Sequence, residues 1–154
     1  MDVRLVTRNG RVYRDGNEML RYKILLPSID GCESINAFFE RIADRCEEFC
    51  KQRLACELER KGYYELCSAV THADEDAFAM ILRARLFCRG EICKSFSRSL
   101  CFNVKSQRMM PPRTLVKKYG KGQKIKGSEG VFIAGGEVRR MSDVEIDTFF
   151  RKKR

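Results

Sequence analysis

The chain has 154 residues, 44% apolar and 34% charged, with only three prolines, which suits a soluble globular domain and excludes collagenous, mucin-like and wholly disordered chains. The formal net charge is +10, from 31 Lys and Arg against 21 Asp and Glu. Its placement is uneven: Lys105 to Lys126 carries eight basic residues and no acidic one, and Arg151 to Arg154 adds four more. Without those twelve, 19 basic residues face 21 acidic ones, a balance of −2, so one segment and one tail hold the whole surplus.

Val3 to Thr7 alternates apolar and polar residues and runs into Asn9-Gly10, a type I′ hairpin signal, with Arg11 to Arg14 as a short return strand. Asp15-Gly16 is a second turn signal. Leu20, Tyr22, Ile24 and Leu26 keep period two, so Glu18 to Leu26 reads as a half-buried strand that Pro27 ends. Ile35, Phe38, Phe39, Ile42, Cys46, Phe49, Cys50, Leu54 and Leu58 then recur at spacings of three and four. They predict one long amphipathic helix over about 34–60, with Ser34 or Asp30 as its N-cap and Gly62 as its stop.

Tyr63 to Thr71 is strand-like, and Asp74-Glu75-Asp76 reads as a loop. Ala77 to Arg89 and Ile92 to Val104 make a long hairpin turning at Gly90-Glu91. Asn103 to Arg108 is a polar turn, Thr114 to Lys118 fits a short helix, and the glycine- and lysine-rich stretch of about 117–130 reads as a basic flexible loop. Val131 to Ala134 and Val138 to Met141 form a small hairpin around Gly135-Gly136, and Asp143 to Phe150 closes the chain as a short strand or a helical turn. Strands that follow one another through tight turns predict a single α+β domain over 1–154: an antiparallel sheet of five or more strands with the long helix on one face.

The chemistry open to these residues is narrow. The eight cysteines contain no CxxC pair, and their closest spacings leave three and four residues between them, which argues against a zinc site. Cys46 and Cys50 lie in phase with the apolar stripe and read as buried thiols, whereas Cys88 and Cys93 can face each other across the hairpin, within reach of a disulfide. His72 is the one histidine, so every triad or dyad would have to use it. With Asp74, Glu75 and Asp76 it offers the mixed ligands a divalent cation takes, but the ordinary reading is a solvated loop. Lys118 to Gly127 fails the P-loop pattern. No cofactor is expected and no catalytic set is identifiable.

Met1 to Asn9 lacks the apolar core of a signal peptide, and no apolar run is long enough to span a bilayer, so the expected location is cytoplasmic. Lys117, Lys118, Lys121, Lys124, Lys126, Arg151, Lys152, Lys153 and Arg154 are the candidate contacts for phosphates.

Leu25-Leu26-Pro27, then Ser28-Ile29-Asp30-Gly31, then Ile35-Asn36 opening a helix, and a long hairpin closing in Phe102-Asn103-Val104-Lys105-Ser106-Gln107-Arg108 before Pro111-Pro112, form a familiar order. From about Tyr22 to Arg140 the chain resembles the uncharacterised C-terminal domain of the lysozyme-sensing anti-sigma factor RsiV, related to domains accompanying some bacterial polysaccharide deacetylases. That family usually has Phe-Asp and a Thr-Gly pair where Asn103 and Ser106-Gln107 stand here. The resemblance implies a bacterial α+β domain without catalysis of its own, used for binding or sensing; members are commonly extracytoplasmic and tethered, unlike the location expected here. The leading expectation is therefore a non-enzymatic binding, sensing or accessory domain for an unknown protein or small ligand. The alternative is a nonspecific nucleic-acid-binding protein using the basic loop and tail.

Overall fold

The computed structural model describes residues 1–120 and 130–151. Strand β1 (Val3–Arg14) and strand β2 (Asn17–Ile29) form an antiparallel hairpin around Asp15-Gly16, whose φ angles of 52° and 81° are those of a type I′ turn. Asn9-Gly10 is not a turn but lies inside β1. Gly10 pairs with Tyr22, and a β-carbon there would overlap the Tyr22 ring. The glycine leaves room for an aromatic ring laid across the edge strand.

Pro27 does not end β2 either, since β2 continues to Ile29 and Pro27 pairs with Leu5. The ladder to the next strand, β3 (Gly62–Ala73), runs only from Leu20↔Gly62 to Ile24↔Leu66. Pro27 thus lies where β2 has a ladder on one side alone, and a missing N–H is tolerated. That β2–β3 ladder is parallel, so the sheet is mixed rather than purely antiparallel. The helical segment between the two strands is the crossover that a parallel pair requires; periodicity identifies the segment as helix but does not say that it returns the chain to the start of β2.

Helix α1 (Glu33–Phe49) continues through a π-helical turn (Cys50–Leu54) into α2 (Ala55–Glu57). Neither Ser34 nor Asp30 caps it. Cys32 occupies the N-cap without a side-chain bond, and its carbonyl accepts the Asn36 N–H at 3.0 Å. The Asn36 amide fastens this end to β2, accepting from the Ile29 N–H at 2.7 Å and donating to the Ile29 carbonyl at 2.8 Å. Gly62 is not the stop but the first residue of β3. The guanidinium of Arg14 takes that role, donating to the carbonyls of Ala55 at 3.4 Å, Cys56 at 3.2 Å and Leu58 at 3.0 Å, groups that a helix end leaves without partners. Of the long apolar stripe, Ile35, Phe39, Cys50 and Leu54 are buried together with Ala43 and Ala55; Phe38, Ile42 and Cys46 are half-buried, and Phe49 is exposed.

Strands β4 (Ala77–Cys88) and β5 (Glu91–Asn103) form the long hairpin, turning at Arg89-Gly90 with φ of 57° and 79°, one residue earlier than expected. A two-residue strand, β6 (Arg108–Met109), pairs with Phe102 and Asn103, completing the order β1-β2-β3-β4-β5-β6. Helix α3 (Pro112–Tyr119), the separate hairpin of β7 (Val131–Ala134) and β8 (Glu137–Arg140), and helix α4 (Asp143–Arg151) follow, so the closing segment is helical. Ser142 supplies the cap that periodicity does not reveal, its Oγ accepting from the Glu145 N–H at 3.2 Å.

The chain divides into two compact units. In one, Asp2–Ser68 with Arg83–Ser97, β2 presents the buried face Leu20, Tyr22, Ile24 and Leu26, and α1 packs on β2. In the other, Ala69–Leu82 with the described residues from Arg98 onward, Ala77, Ala79, Cys101, Met110, Leu115 and Ile133 form one apolar cluster, and Ile81, Phe132, Ala134 and Ile146 form a second.

Candidate functional site

The unit built on α1 holds an open apolar groove of about 490 Å³, within the range of small-ligand sites. Even-numbered residues of each strand share a face, which places Tyr64, Ala84 and Leu86 on the groove floor. The π turn and α2 form one wall with Leu54 and Glu57, and Phe49 joins them at the end of α1. Lys94 and Phe96 of β5 form the opposite rim. The groove has a simple cause: a helix about 10 Å across covers about two strands spaced about 4.8 Å apart. With α1 seated on β2, the β4–β5 side of the same face in this unit stays open. Phe96 is 63% exposed and Phe49 36%.

Behind the Phe49 rim, Tyr64 meets the Phe49 ring edge-on at 6.1 Å. Hydrogen bonds from the Cys50 thiol and from the Tyr64 hydroxyl hold Cys46 below the ordinary thiol range, against the opposing effect of burial. The Cys46 contact and burial push Cys50 up, and burial with the Cys46 charge raises Tyr64. Elsewhere in this unit, Glu47 accepts the Tyr22 hydroxyl at 2.6 Å and the Arg8 guanidinium at 2.9 Å. The Tyr22 bond is the largest cause of its lowered pKa. These groups tie β1, β2 and α1 together and do not enter the groove.

His72, in the other unit, is not the solvated loop residue that the sequence suggests. Its side chain is only 12% exposed, and both ring nitrogens are engaged. Nε2 lies 2.7 Å from Asp74 Oδ2, and Nδ1 accepts the Gly136 N–H at 3.2 Å, which puts the ring proton on Nε2. Gly136 belongs to the β7–β8 turn, where Gly135 and Gly136 have φ of 60° and 78°. The Asp74 Oδ1 accepts from the N–H groups of Asp76 at 2.8 Å and Ala77 at 2.7 Å. Although burial opposes it, these bonds and His72 lower the Asp74 pKa. The cluster that resembled a cation site is therefore a joint between a β3–β4 turn and the β7–β8 turn. Among the described residues no group of His, Cys, Asp and Glu is arranged to hold a metal.

Of the basic candidates, Lys117 and Lys118 are exposed on the last turn of α3, with the Lys118 ammonium 5.5 Å from the Tyr119 ring centre. Arg151 is exposed at the end of α4. Lys121, Lys124, Lys126, Lys152, Lys153 and Arg154 lie outside the described residues. All eight cysteines are free thiols, Cys88 and Cys93 included; a thiol contact with Cys93 and burial raise the Cys88 pKa. Sequence reasoning missed the groove. Its traces there are Phe49 and Leu54 in the helix stripe and Leu86 and Phe96 in the hairpin, and neither periodicity distinguishes a covered face from an open one.

No family model matches the sequence, and no curated protein matches it. Solved structures do match the fold, and they define its class: a mixed α+β architecture shared with an uncharacterised domain family. One is a DUF3298 family protein from Pseudomonas aeruginosa PAO1, with a TM-score of 0.55 and 12% identity over 80% of this chain. Another is a DUF3298 family member from Bacteroides fragilis NCTC 9343, with a TM-score of 0.52 and 10% identity over 81% of this chain. This chain spans 59% of the length of the Pseudomonas structure and 70% of the Bacteroides one. Among the described residues no helix is long and apolar enough to cross a membrane.

Proposed function

We propose that the protein is a non-enzymatic binding or accessory module and that the groove between the π turn and β5 is its ligand seat. The observation that carries the reading is the groove itself: an apolar floor of Tyr64, Ala84 and Leu86 left open beside α1, with Lys94 and Glu57 on opposite rims. Such a seat takes a small apolar ligand or side chain and orients it by charge at the mouth. His72, the one histidine, has both ring nitrogens engaged within the protein, by Asp74 and by the Gly136 N–H. The RsiV-type resemblance implies a sensing or accessory role, and the DUF3298 neighbours share the fold alone.

The test is titration with anilinonaphthalene sulfonate, an apolar anion, of the intact chain and of Ala84→Trp, which fills the floor. The native chain binds the probe; the variant, with an unchanged circular dichroism spectrum, loses at least about tenfold in affinity. Equal binding by both chains removes the groove as the seat. In parallel, tight retention on duplex DNA or RNA at about 50 mM salt with a steep salt slope, lost on replacing the lysines of 117–126 and the 151–154 tail, would make nucleic-acid binding the primary function instead.

A further inference from the structure

The sheet has two outer edges, and they are built differently. Along β1 stand Arg4, Arg8, Arg11 and Arg14, and three of these tie the strand to its own unit: Arg8 to Asp44 and Glu47, Arg11 to Glu18, and Arg14 to the carbonyls at the helix end. The first half of β5 has no comparable ties along its outer side among the described residues. From Glu91 to Phe96 every residue is exposed, no proline interrupts the run, and Glu91 and Lys94 cancel. Ile92 is 54% exposed and Phe96 63%. Beyond β4, the pairing of β5 with β6 is confined to Phe102 and Asn103, so Glu91–Ser97 has no strand on its outer side among the described residues.

We propose that this edge is a self-association surface, and that its occupant is the same β5 segment of a second copy, paired antiparallel about a two-fold axis. Symmetry limits the register. A two-fold axis normal to the sheet keeps each residue on its own face, so only residues of like parity stand opposite each other. Centring the pair on Lys94 opposes two ammonium groups and is unfavourable. Centring it on Ser95 sets Lys94 against the second copy's Phe96, and Phe96 against the second copy's Lys94. Each cation then lies beside an aromatic ring, and no like charges face each other directly. In this register the strand offers its free backbone groups to its copy and sets a cation against a ring on each side. The pairing uses the outer edge of β5 and stands whether or not the groove binds a ligand.

Sedimentation equilibrium on the full chain, without added ligand and under reducing conditions, tests this. The native chain is expected to be dimeric at about 100 µM. Phe96→Lys places like charges across both pairs and is expected to weaken the dimer by about tenfold or more. Adding Lys94→Glu to Phe96→Lys puts opposite charges across each pair and is expected to restore association. Phe96 and Lys94 project into solvent, and circular dichroism with a thermal scan checks that each variant is folded. A native chain that stays monomeric, a Phe96→Lys chain that stays as dimeric as the native one, or a double variant no better than the single one overturns the proposal. Failure of the probe titration at Ala84 leaves this result untouched, so the two readings fail separately.

Discussion

Gly10→Ala is the substitution whose effect the structure determines most sharply. The new methyl group would overlap Cζ, Oη and Cε1 of Tyr22. That ring is buried and tethered: Tyr22 is 3% exposed, and its hydroxyl is held by Glu47 at 2.6 Å. Expelling the ring forfeits about 2 kcal/mol of apolar burial and a hydrogen bond to a carboxylate worth about 1.5–3 kcal/mol. Against this, alanine restricts the unfolded chain and returns about 0.4–1 kcal/mol. The expected net loss is about 3 kcal/mol, and with a urea slope of about 2 kcal/mol/M the midpoint falls by about 1.5 M. The assay is equilibrium urea unfolding of four chains: native, Gly10→Ala, Tyr22→Leu and the double variant. If the ring causes the loss, Gly10→Ala costs little once Tyr22 is leucine, and the two losses are far from additive. A Gly10→Ala midpoint within about 0.3 M of native, or additive losses, refutes the reasoning.

Two further outcomes follow from the same contacts. Asn36→Ala leaves the N–H of Ile29, a residue at 0% exposure, without its side-chain partner, while the Ile29 carbonyl keeps the Cys32 N–H at 3.1 Å. The substitution is expected to cost about 1–3 kcal/mol in urea unfolding. Glu47 has a folded pKa below its unfolded value of about 4.3, so the unfolded chain binds more protons in that range and stability falls as pH drops through it. In Glu47→Gln the loss between about pH 5 and 3 is shallower, read from urea midpoints across that range; an unchanged slope removes Glu47 from the acid response.

The elements that local pattern revealed are those whose signal repeats. The spacing of Ile35, Phe39, Cys46, Cys50 and Leu54 places a helix there whatever it packs on, and the alternation of Leu20, Tyr22, Ile24 and Leu26 identifies the inward face of β2. Local signals failed where a distant residue outweighed them. Asn9-Gly10 is a sound hairpin dipeptide, yet Tyr22 required that glycine inside a strand. Gly62 looked like a helix stop because the capping group, Arg14, lies far away in sequence on β1. The acidic neighbours of His72 suggested a loop because its other partner, Gly136, belongs to a separate hairpin.

The sequence by itself determined the long helix, the inward face of β2, the β4–β5 hairpin, the confinement of the net charge to one segment and one tail, and the single histidine that restricts catalytic chemistry. Those are properties of composition and short-range periodicity. Only the tertiary structure decided that β2 and β3 run parallel, that both His72 nitrogens are occupied, and that α1 leaves a groove beside it while β5 keeps an open edge. Each of these depends on which distant surfaces meet. A helix stripe or a strand face carries the same residues whether it is covered or bare, and the width of one helix against the spacing of strands settles which it is.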